Sequence, residues 1–460
     1  MTLSIPFDNS YARLPDRFFT RLAPTPVSDP RLIAWNAQLA RDIGIDRGPL
    51  TDAQLADFFA GNTLPDGAEP LAQVYAGHQF GGFSPQLGDG RAILLGEIRT
   101  GAQRLDIQLK GSGRTPYSRM GDGRAWLGPV LREYLMSEAM AALGVPTTRA
   151  LAAVATGDPV LREDGPMPGA ILTRVAASHI RVGTFQFFAA RADRDGLRAL
   201  FDHTVARHYP QVKTAAQLVE EVMKSQAALV AQWMALGFIH GVMNTDNMAV
   251  SGETIDYGPC AFMDAYHPAT VFSFIDRQGR YGYANQPRAA HWNLAQFASA
   301  LVPMAPDEEA AVEDFTRLIN TFPDLYEAEW LRRFGAKLGL ADPNDTDRAL
   351  IAELLKHMED HGLDFTNTFA ALADTIPDGL EDWAARWQAR QPDPALMARA
   401  NPQVIPRTHR IEAAIQAGLQ NDFKHFEAML DVVTRPFEPA PDHAAAPTEA
   451  ERVAHTFCGT

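Results

Sequence analysis

Three polar residues near the middle of the chain could bind a metal ion and a reacting hydroxyl group. Asp246 and Asn247 are adjacent, and Asp256 follows nine residues after Asn247. Carboxylate and amide oxygens are suitable ligands for Mg²⁺, and a carboxylate beside a bound cation stays ionised and can accept a proton. The pattern indicates that Asn247 and Asp256 hold a divalent metal ion, with Asp246 as the candidate general base.

The order of these residues fits phosphoryl-transfer chemistry at every position but one. Kinase-type sites place a basic Asp five residues before a metal-binding Asn, and a second metal-binding Asp beyond a short hairpin. Five residues before Asn247 stands Val242, which can neither accept a proton nor bind a cation. Two interpretations follow: Asp246 serves as the base of a rebuilt site, or it caps a loop in a catalytically silent protein.

Four charged residues earlier in the chain could hold the phosphates of a nucleotide. Lys110 ends a strand-like run and Glu133 falls in the first turn of a predicted helix, which suits an ion pair that holds the lysine on a phosphate. Arg174 and Arg181 lie where a predicted strand leads into the helical part, and two guanidinium groups could clamp a triphosphate. The alternatives are an ordinary surface pair and a salt bridge between the two parts of the chain.

Two copies of Gly-Asp-Gly-Arg, at 88–91 and 121–124, flank the strand that carries Lys110. Consecutive backbone N–H groups of such a turn, together with an Arg side chain, can bind oxyanions. Ordinary turns have the same composition. Because both copies flank the same strand, the pattern favours phosphate contact.

The elements that must position these residues divide the chain into two unlike parts. In the first part, strand-like runs and one helix predict a small sheet with a helix packed on it: Ala92–Ile98, Arg104–Leu109, Leu131–Leu143, Ala150–Thr156 and Gly169–Arg174. An earlier amphipathic segment, Pro30–Ile43, has helical spacing.

The second part is predicted to be mostly helical, with one hairpin at the metal-binding residues. A helix is predicted at Ala215–Leu236, where apolar residues recur with helical spacing and Gly237 ends the pattern. The loop with Asp246 and Asn247 follows directly. Short strands at 248–250 and 254–255 predict a hairpin with Asn247 on one arm and Asp256 on the other. Further helices are expected at 292–301, 308–319, 347–359 and 412–416, followed by a Pro- and Ala-rich strap at 436–447.

Composition limits the classes of function. The chain has 460 residues, of which 46% are hydrophobic, and a formal net charge of −15, which disfavours a broad nucleic-acid footprint. No apolar run is long enough to span a bilayer and the first residues do not form a leader pattern, so we expect a cytoplasmic protein without membrane contact. Two cysteines, Cys260 and Cys458, are too few for a disulfide framework.

Several long motifs identify a family. Segments 75–91, 109–119, 178–183, 240–247 and 256–259 closely resemble the selenoprotein O family, also called the YdiU family, and the resemblance covers nearly the whole chain. It implies an α+β, protein-kinase-like bilobal fold, with a small β-rich N-terminal lobe containing one key helix and a larger, mainly helical C-terminal lobe. The implied boundaries are 1–184, 185–435 and a flexible tail at 436–460.

The resemblance also implies an activity and a set of site residues. Family members transfer AMP from ATP to Ser, Thr or Tyr hydroxyls of proteins, with the nucleotide reversed relative to ordinary kinases so that pyrophosphate leaves. Asp246 would then be the general base, and Asn247 and Asp256 would hold Mg²⁺ or Mn²⁺. The implied ATP-binding set is Gly88, Gly90, Arg91, Lys110, Asp122, Gly123, Glu133, Arg174, Arg181 and Asp256.

Some alternatives stay open at this point. The sequence does not distinguish ATP from UTP used with Mn²⁺, or an active enzyme from a nucleotide-binding scaffold, and the protein targets are not identifiable; a monomer is expected. Family members often end in a redox-active selenocysteine or cysteine followed by serines, whereas this chain ends Cys458-Gly-Thr. One hypothesis is a reversible disulfide between Cys260 and Cys458; the alternative is a buried Cys260 and an idle Cys458.

Overall fold

A computed structural model describes residues 3–101, 103–163 and 165–457. The α+β class is confirmed: an antiparallel sheet occupies the first part of the chain and helices dominate the second. Eight strands form the main sheet: β1 (Phe19–Arg21), β2 (Arg31–Trp35), β3 (Leu71–Gln73), β6 (Ala92–Thr100), β7 (Gln103–Lys110), β8 (Ala125–Trp126), β9 (Arg149–Arg162) and β10 (Gly165–Ala176). Two small hairpins lie outside it, formed by β4 (Gly77–Gln79) with β5 (Gly82–Ser84) and by β11 (Phe238–Ile239) with β12 (Ala261–Phe262).

The strand order of the main sheet is β1-β3-β6-β7-β10-β9-β2, and β8 pairs with β10. Two helices, α1 (Ala37–Asp42) and α2 (Asp52–Ala60), cover one face, where their apolar side chains form a core cluster with those of β7, β9 and β10. The other face packs against α3 (Leu127–Ala142), which belongs to the larger core cluster. Burial of both faces fixes which residues of each strand point towards α3.

The remaining helices form the second part: α4 (Val182–Ala189), α5 (Arg194–His208), α6 (Ala215–Leu236), α7 (Gln286–Leu301), α8 (Glu308–Ile319), α9 (Phe322–Lys337), α10 (Asp345–His361), α11 (Phe365–Ala371), α12 (Glu381–Gln388), α13 (Pro394–Ala400), α14 (Thr408–Leu419), α15 (Lys424–Val433) and α16 (Pro441–Ala444). The bounds predicted for α6 are confirmed, and its end at Gly237 has the left-handed conformation expected of a helix cap. Among the described residues, no helix is both long and apolar enough to cross a membrane.

The prediction of a helix at Pro30–Ile43 is wrong in its first half. Arg31–Trp35 form β2, which pairs with β9 at the sheet edge, and α1 begins only after Asn36. The side chain of Asn36 accepts a hydrogen bond from the backbone N–H of Leu39 at 3.0 Å, so it caps the helix at this point. The helix α3 also starts earlier than predicted, which places Glu133 in its second turn.

The predicted hairpin between Asn247 and Asp256 does not form. Thr245–Asn247 is a short 3₁₀ helix, and the two expected arms pair with other segments. Ala249 forms an antiparallel bridge with Arg181, whereas Thr254 forms a parallel bridge with Thr147. The two metal-binding candidates are therefore held by separate contacts with the sheet part of the chain.

The last described residues return to the middle of the chain. The Thr456 N–H donates to the Phe272 carbonyl at 2.8 Å, and its hydroxyl donates to the Pro259 carbonyl at 2.6 Å. The Arg132 guanidinium donates to the Phe457 carbonyl at 2.8 Å. Cys260 is buried beside this contact, but Cys458 lies outside the described residues, so the proposed disulfide stays a prediction.

Candidate active site

A cavity of about 930 Å³ lies between the sheet and the helical part of the chain. All but one of the predicted site residues line this cavity: Gly88, Gly90, Arg91, Lys110, Asp122, Gly123, Arg174, Arg181, Asp246, Asn247 and Asp256. Glu133 is the exception, because it lies behind Lys110. Residues that are up to 168 positions apart, from Gly88 to Asp256, thus meet in one place.

Three buried cations converge on Asp256. Its Oδ1 lies 2.7 Å from an Arg174 guanidinium nitrogen and 3.0 Å from Lys110 Nζ, and its Oδ2 lies 3.5 Å from Arg181. The side chains of the three cations are 2–9% exposed. Such a concentration of buried positive charge, partly balanced by carboxylates, suits an anionic ligand.

The alternation of side chains along β7 and β10 explains why two of these cations meet. Gln108 and Lys110 point from β7 towards α3, whereas Ile107 and Leu109 enter the opposite core cluster. In the neighbouring strand, Arg174 is paired with Gln108 and donates to its amide oxygen at 2.6 Å. One face of two adjacent strands therefore presents Lys110 and Arg174 together.

Glu133 fixes both cations from α3. Its carboxylate lies 2.5 Å from Lys110 Nζ and 3.3 Å from Arg174. This is the ion pair predicted from the spacing of Lys110 and Glu133, and the arginine is an addition to it. Because Glu133 is itself 3% exposed, the loss of this carboxylate would leave buried cations without a partner.

Asp256 is held as an anion in an unusual backbone conformation. Burial alone would raise the pKa of its carboxyl group, but the adjacent Lys110 and Arg174 cations hold that pKa well below its ordinary range. Its φ of 63° lies in the left-handed region, which is costly for a residue with a side chain. Backbone strain of this kind is concentrated at functional sites.

Asp246 has a different electrostatic environment. Burial raises the pKa of its carboxyl group to about 6, although a hydrogen bond from Gln79 opposes the shift. Gln79 Nε2 donates to Oδ2 at 3.0 Å, while Oδ1 is buried without a hydrogen-bond partner among the described residues. The carboxylate thus has one oxygen fixed by a hydrogen bond and a second oxygen with unused hydrogen-bonding capacity.

The small hairpin β4–β5 orients the loop that carries Asp246. The backbone N–H of His78 donates to the Thr245 hydroxyl at 2.7 Å, and that of Phe80 donates to the Asn244 side chain at 3.1 Å. A Cβ at Gly77 would lie 2.5 Å from Asp246 Oδ1, so only glycine permits this approach. No local pattern in the sequence indicated that this hairpin would contact the loop of Asp246.

The segment 178–183 joins the sheet to the same loop. The Val182 N–H donates to the Met248 carbonyl at 2.9 Å, and the Val250 N–H donates to the Ile180 carbonyl at 3.0 Å. These bonds hold Arg181 beside the loop, where its guanidinium lies 4.4 Å from the centre of the Tyr75 ring. The predicted role of this segment as a connection between the two parts agrees with these contacts.

Buried hydrogen bonds with Asp106 hold this segment in place. Asp106 accepts hydrogen bonds from the backbone N–H of His179 at 2.9 Å and from Arg207 at 2.5 Å. Burial lowers the pKa of His179 to about 4, so the imidazole is neutral at pH 7 and its contact with Asp106 is a hydrogen bond. His179 therefore has a structural role, in which its backbone and its ring both bond to Asp106.

The two Gly-Asp-Gly-Arg segments differ in their surroundings. Burial raises the pKa of Asp89 to about 6, and one oxygen of this carboxylate lies 3.8 Å from Arg181. Asp122 is instead half exposed and paired with Arg162 at 2.9 Å. Asp89 lies within the first motif and lines the cavity, but it is not among the predicted site residues. Gln79, Gln108 and Tyr75, which contact site residues, were not predicted either.

Asn247 and Asp256 fit a metal ion that is bound together with substrate phosphates. Asn247 Nδ2 donates to the Val242 carbonyl at 3.0 Å, which leaves the amide oxygen of Asn247 as its ligand atom. Among the described residues no group of three or more His, Cys, Asp or Glu side chains could hold a metal. Two oxygen ligands, Asn247 and Asp256, suit Mg²⁺, which is commonly bound by one or two protein groups together with substrate phosphates.

Comparisons with known proteins identify the family of the chain. The family model described as "Protein adenylyltransferase SelO" matches residues 1–392. The chain belongs to the SelO family. Over the full length of both chains it is 57% identical to a protein of Ruegeria sp. (strain TM1040) and 58% identical to one of Roseobacter denitrificans, each named "Protein nucleotidyltransferase YdiU".

A relative from Methylorubrum populi with the same name is 54% identical over the full length of both chains. The predicted membership of the SelO family is therefore confirmed, and with it the enzyme class of nucleotidyltransferases to which the family belongs. The roles of the individual site residues stay predictions that rest on the geometry.

Proposed function

We propose that this protein transfers AMP from ATP to Ser, Thr or Tyr hydroxyl groups of proteins and releases pyrophosphate. The observation that supports the proposal most strongly is the convergence of Lys110, Arg174 and Arg181 on one side of the cavity, with the Asp246 carboxylate on the loop beside Asn247. The description of the family as an adenylyltransferase favours ATP over other nucleotides.

The arrangement is proposed to be that of a protein kinase with two lobes, at residues 1–184 and 185–435. A strand lysine paired with a helix glutamate is the device by which that fold holds nucleotide phosphates, and Lys110 with Glu133 has this form. The composition further supports a monomeric protein of the cytoplasm without nucleic-acid or membrane partners.

The position of the general base supports a reversed nucleotide. Val242 is buried where a kinase would carry its base, so a hydroxyl attacking the γ-phosphorus there would have no proton acceptor. If the β- and γ-phosphates instead lie against the buried cations Lys110, Arg174 and Arg181, the α-phosphorus faces the acceptor protein. The carboxylate available at that point is Asp246.

The reaction then follows from the residues of the chain. Asp246 accepts the proton of the acceptor hydroxyl while the oxygen of that hydroxyl forms a bond to the α-phosphorus. The bond between the α-phosphorus and the bridging oxygen of the β-phosphate breaks, and Lys110 and Arg174 stabilise the charge of the departing pyrophosphate. Mg²⁺ or Mn²⁺ held by Asn247 and Asp256 would neutralise phosphate charge.

Parallel incubations with ATP labelled at the α- or the γ-phosphorus test this proposal, with total soluble protein as the acceptor. We expect the α label to be retained on protein and the γ label to leave as pyrophosphate. Lys110→Met and Asp246→Asn should abolish the transfer, whereas Lys224→Met, which changes a half-exposed lysine on α6, should not.

Retention of the γ label would show phosphorylation and contradict the reversed nucleotide. A mass spectrum of the modified protein identifies the nucleotide, because adducts of AMP and UMP differ in mass; UMP transfer under Mn²⁺ would replace ATP by UTP in the proposal. No adduct with either nucleotide, together with measurable ATP binding, would favour a catalytically silent scaffold.

A further inference from the structure

Exposed apolar side chains are concentrated around the mouth of the cavity. In the part of the chain that the structure describes, nine large hydrophobic residues are exposed. Four of them line the cavity, namely Phe80, Met120, Leu161 and Ile275. Phe274 precedes Ile275 and contacts Phe457, and Phe83 lies in the same hairpin as Phe80, whereas the other two are Val312 and Phe437. Isolated exposed hydrophobic residues need no explanation, but a contiguous group beside a catalytic cavity marks a binding surface.

Five of these residues form a surface that we call the acceptor rim: Phe80, Phe83, Phe274, Ile275 and Phe457. Their exposure ranges from 37% for Phe80 to 57% for Ile275. The ring of Phe274 lies 5.0 Å from that of Phe457, and the adjacent Ile275 lines the cavity. Three separate segments, the β4–β5 hairpin, the loop before α7 and the end of the described chain, contribute to the rim.

The acceptor rim is attached directly to the proposed catalytic loop. Phe80 follows Gln79, whose side chain bonds to Asp246, and the Phe80 N–H bonds to Asn244. The Tyr281 ring lies 5.2 Å from that of Phe80, and its hydroxyl donates to the same Asn244 oxygen at 2.7 Å. The position of Phe80 relative to Asp246 is therefore fixed by the hydrogen bonds of Gln79 and of Phe80 itself.

This position defines which part of a substrate can reach the rim. An acceptor hydroxyl must lie within hydrogen-bond distance of Asp246. An extended peptide advances about 3.3 Å per residue, so side chains within about three residues of the hydroxyl fall on surfaces about 10 Å away. The rim begins beside Asp246, because Phe80 is adjacent in the chain to Gln79, whose side chain contacts Asp246.

We propose that the acceptor rim binds an extended segment of a client protein that carries aliphatic or aromatic side chains within a few residues of the acceptor hydroxyl. The inference rests on the proposed function and adds the class of acceptor. Folded soluble proteins rarely expose contiguous apolar patches, so loops, termini and incompletely folded segments are the expected substrates. The relatives are named protein nucleotidyltransferases, which favours a protein over a small molecule as the occupant.

The test uses synthetic peptides in which one Thr stands in a background of Gly and Gln, with Leu or Gln at each flanking position. The full-length enzyme is incubated with ATP and Mg²⁺, and AMP addition is measured by mass. We expect Leu to raise kcat/KM by about tenfold at one or more positions near the Thr, as expected for one buried apolar side chain.

The variant Phe83→Ser/Phe274→Ser should remove that preference. Neither residue lines the cavity, so the KM for ATP should not change. The matched control is Val312→Ser/Phe437→Ser, which removes two equally exposed apolar side chains elsewhere and should retain the preference for Leu.

The outcomes distinguish failure of the acceptor-rim proposal from failure of the proposed function. AMP transfer by the wild type with no preference for Leu would overturn the acceptor rim and leave the transfer proposal intact. Equal loss in both double variants would also overturn it, as would transfer confined to a second copy of this chain. No AMP transfer to any peptide or protein would instead contradict the proposed function.

Discussion

The buried lysine Lys337 provides a test of the electrostatics of the fold. It ends α9, is 2% exposed, and places its ammonium group 4.3 Å from the centre of the Phe369 ring and 5.4 Å from that of Phe365. Burial lowers the pKa of Lys337 from 10.5 to about 7. We expect Lys337→Met to stabilise the protein, by an amount that depends on pH.

The direction of the pH effect follows from the folded and unfolded pKa values. Below pH 7 the lysine is charged in both states, so folding includes the full cost of burying the charge. Between about 7 and 10.5 only the unfolded state stays protonated, so the cost falls as the pH rises, and it disappears above 10.5. The pKa difference corresponds to about 5 kcal/mol, and favourable contacts with the two rings would reduce the net gain from Lys337→Met to about 2–4 kcal/mol below neutral pH.

Urea unfolding of the wild type and of Lys337→Met, near pH 6 and near pH 10, measures this gain. The stabilisation should be large at the lower pH and close to zero at the higher one. Lys224→Met, on the exposed face of α6, serves as the control and should change stability little at either pH. A Lys337→Met variant that is less stable than the wild type near pH 6, or equally stabilised at both pH values, would refute the reasoning.

Three further predictions concern the site itself. Gln79→Ala should lower kcat for transfer by about 10–100-fold with little change in the KM for ATP, because one hydrogen bond to a carboxylate contributes about 1.5–3 kcal/mol. Steady-state kinetics with a protein acceptor measure both constants. A change in KM alone would argue against a role of Gln79 in orienting Asp246. Gly183→Ala should destabilise the protein by about 1–3 kcal/mol, because the new Cβ would lie 2.1 Å from the Ala76 carbonyl oxygen, whereas Gly82→Ala, with its nearest atom at 3.5 Å, should be almost neutral in thermal melting. Removal of divalent cations with EDTA should abolish transfer without changing the melting temperature in the absence of nucleotide, and added Mg²⁺ or Mn²⁺ should restore it.

The sequence predicted those elements that have strong local signals. Strand-like runs between glycine turns correctly indicated β6 and β7, and helical spacing ended by Gly237 correctly indicated α6. The ion pair of Lys110 with Glu133 could be predicted because a strand and the helix that packs on it leave few places for either side chain. Arg174 joined the same cluster through strand pairing, which local patterns do not specify.

The wrong prediction at Pro30–Ile43 shows how a tertiary contact overrides spacing. Its apolar residues also suit an edge strand, and pairing of β2 with β9 gives the backbone partners that a helix would have supplied internally. The signal that could have placed the boundary was Asn36, a residue that favours helix starts. In this segment the capping residue therefore indicates the start of the helix better than the spacing of the apolar residues does.

The convergence of Asn247 and Asp256 was predicted, but the reason given for it was wrong. A local hairpin would have made their distance a property of one short segment. Instead, Ala249 bonds to the segment of Arg181 and Thr254 to that of Thr147, so the geometry of the proposed metal site depends on how the sheet and helical parts are packed. A substitution that shifts the sheet against the helices should therefore impair metal-dependent transfer even when no site residue is changed, a coupling that a self-contained hairpin would not produce.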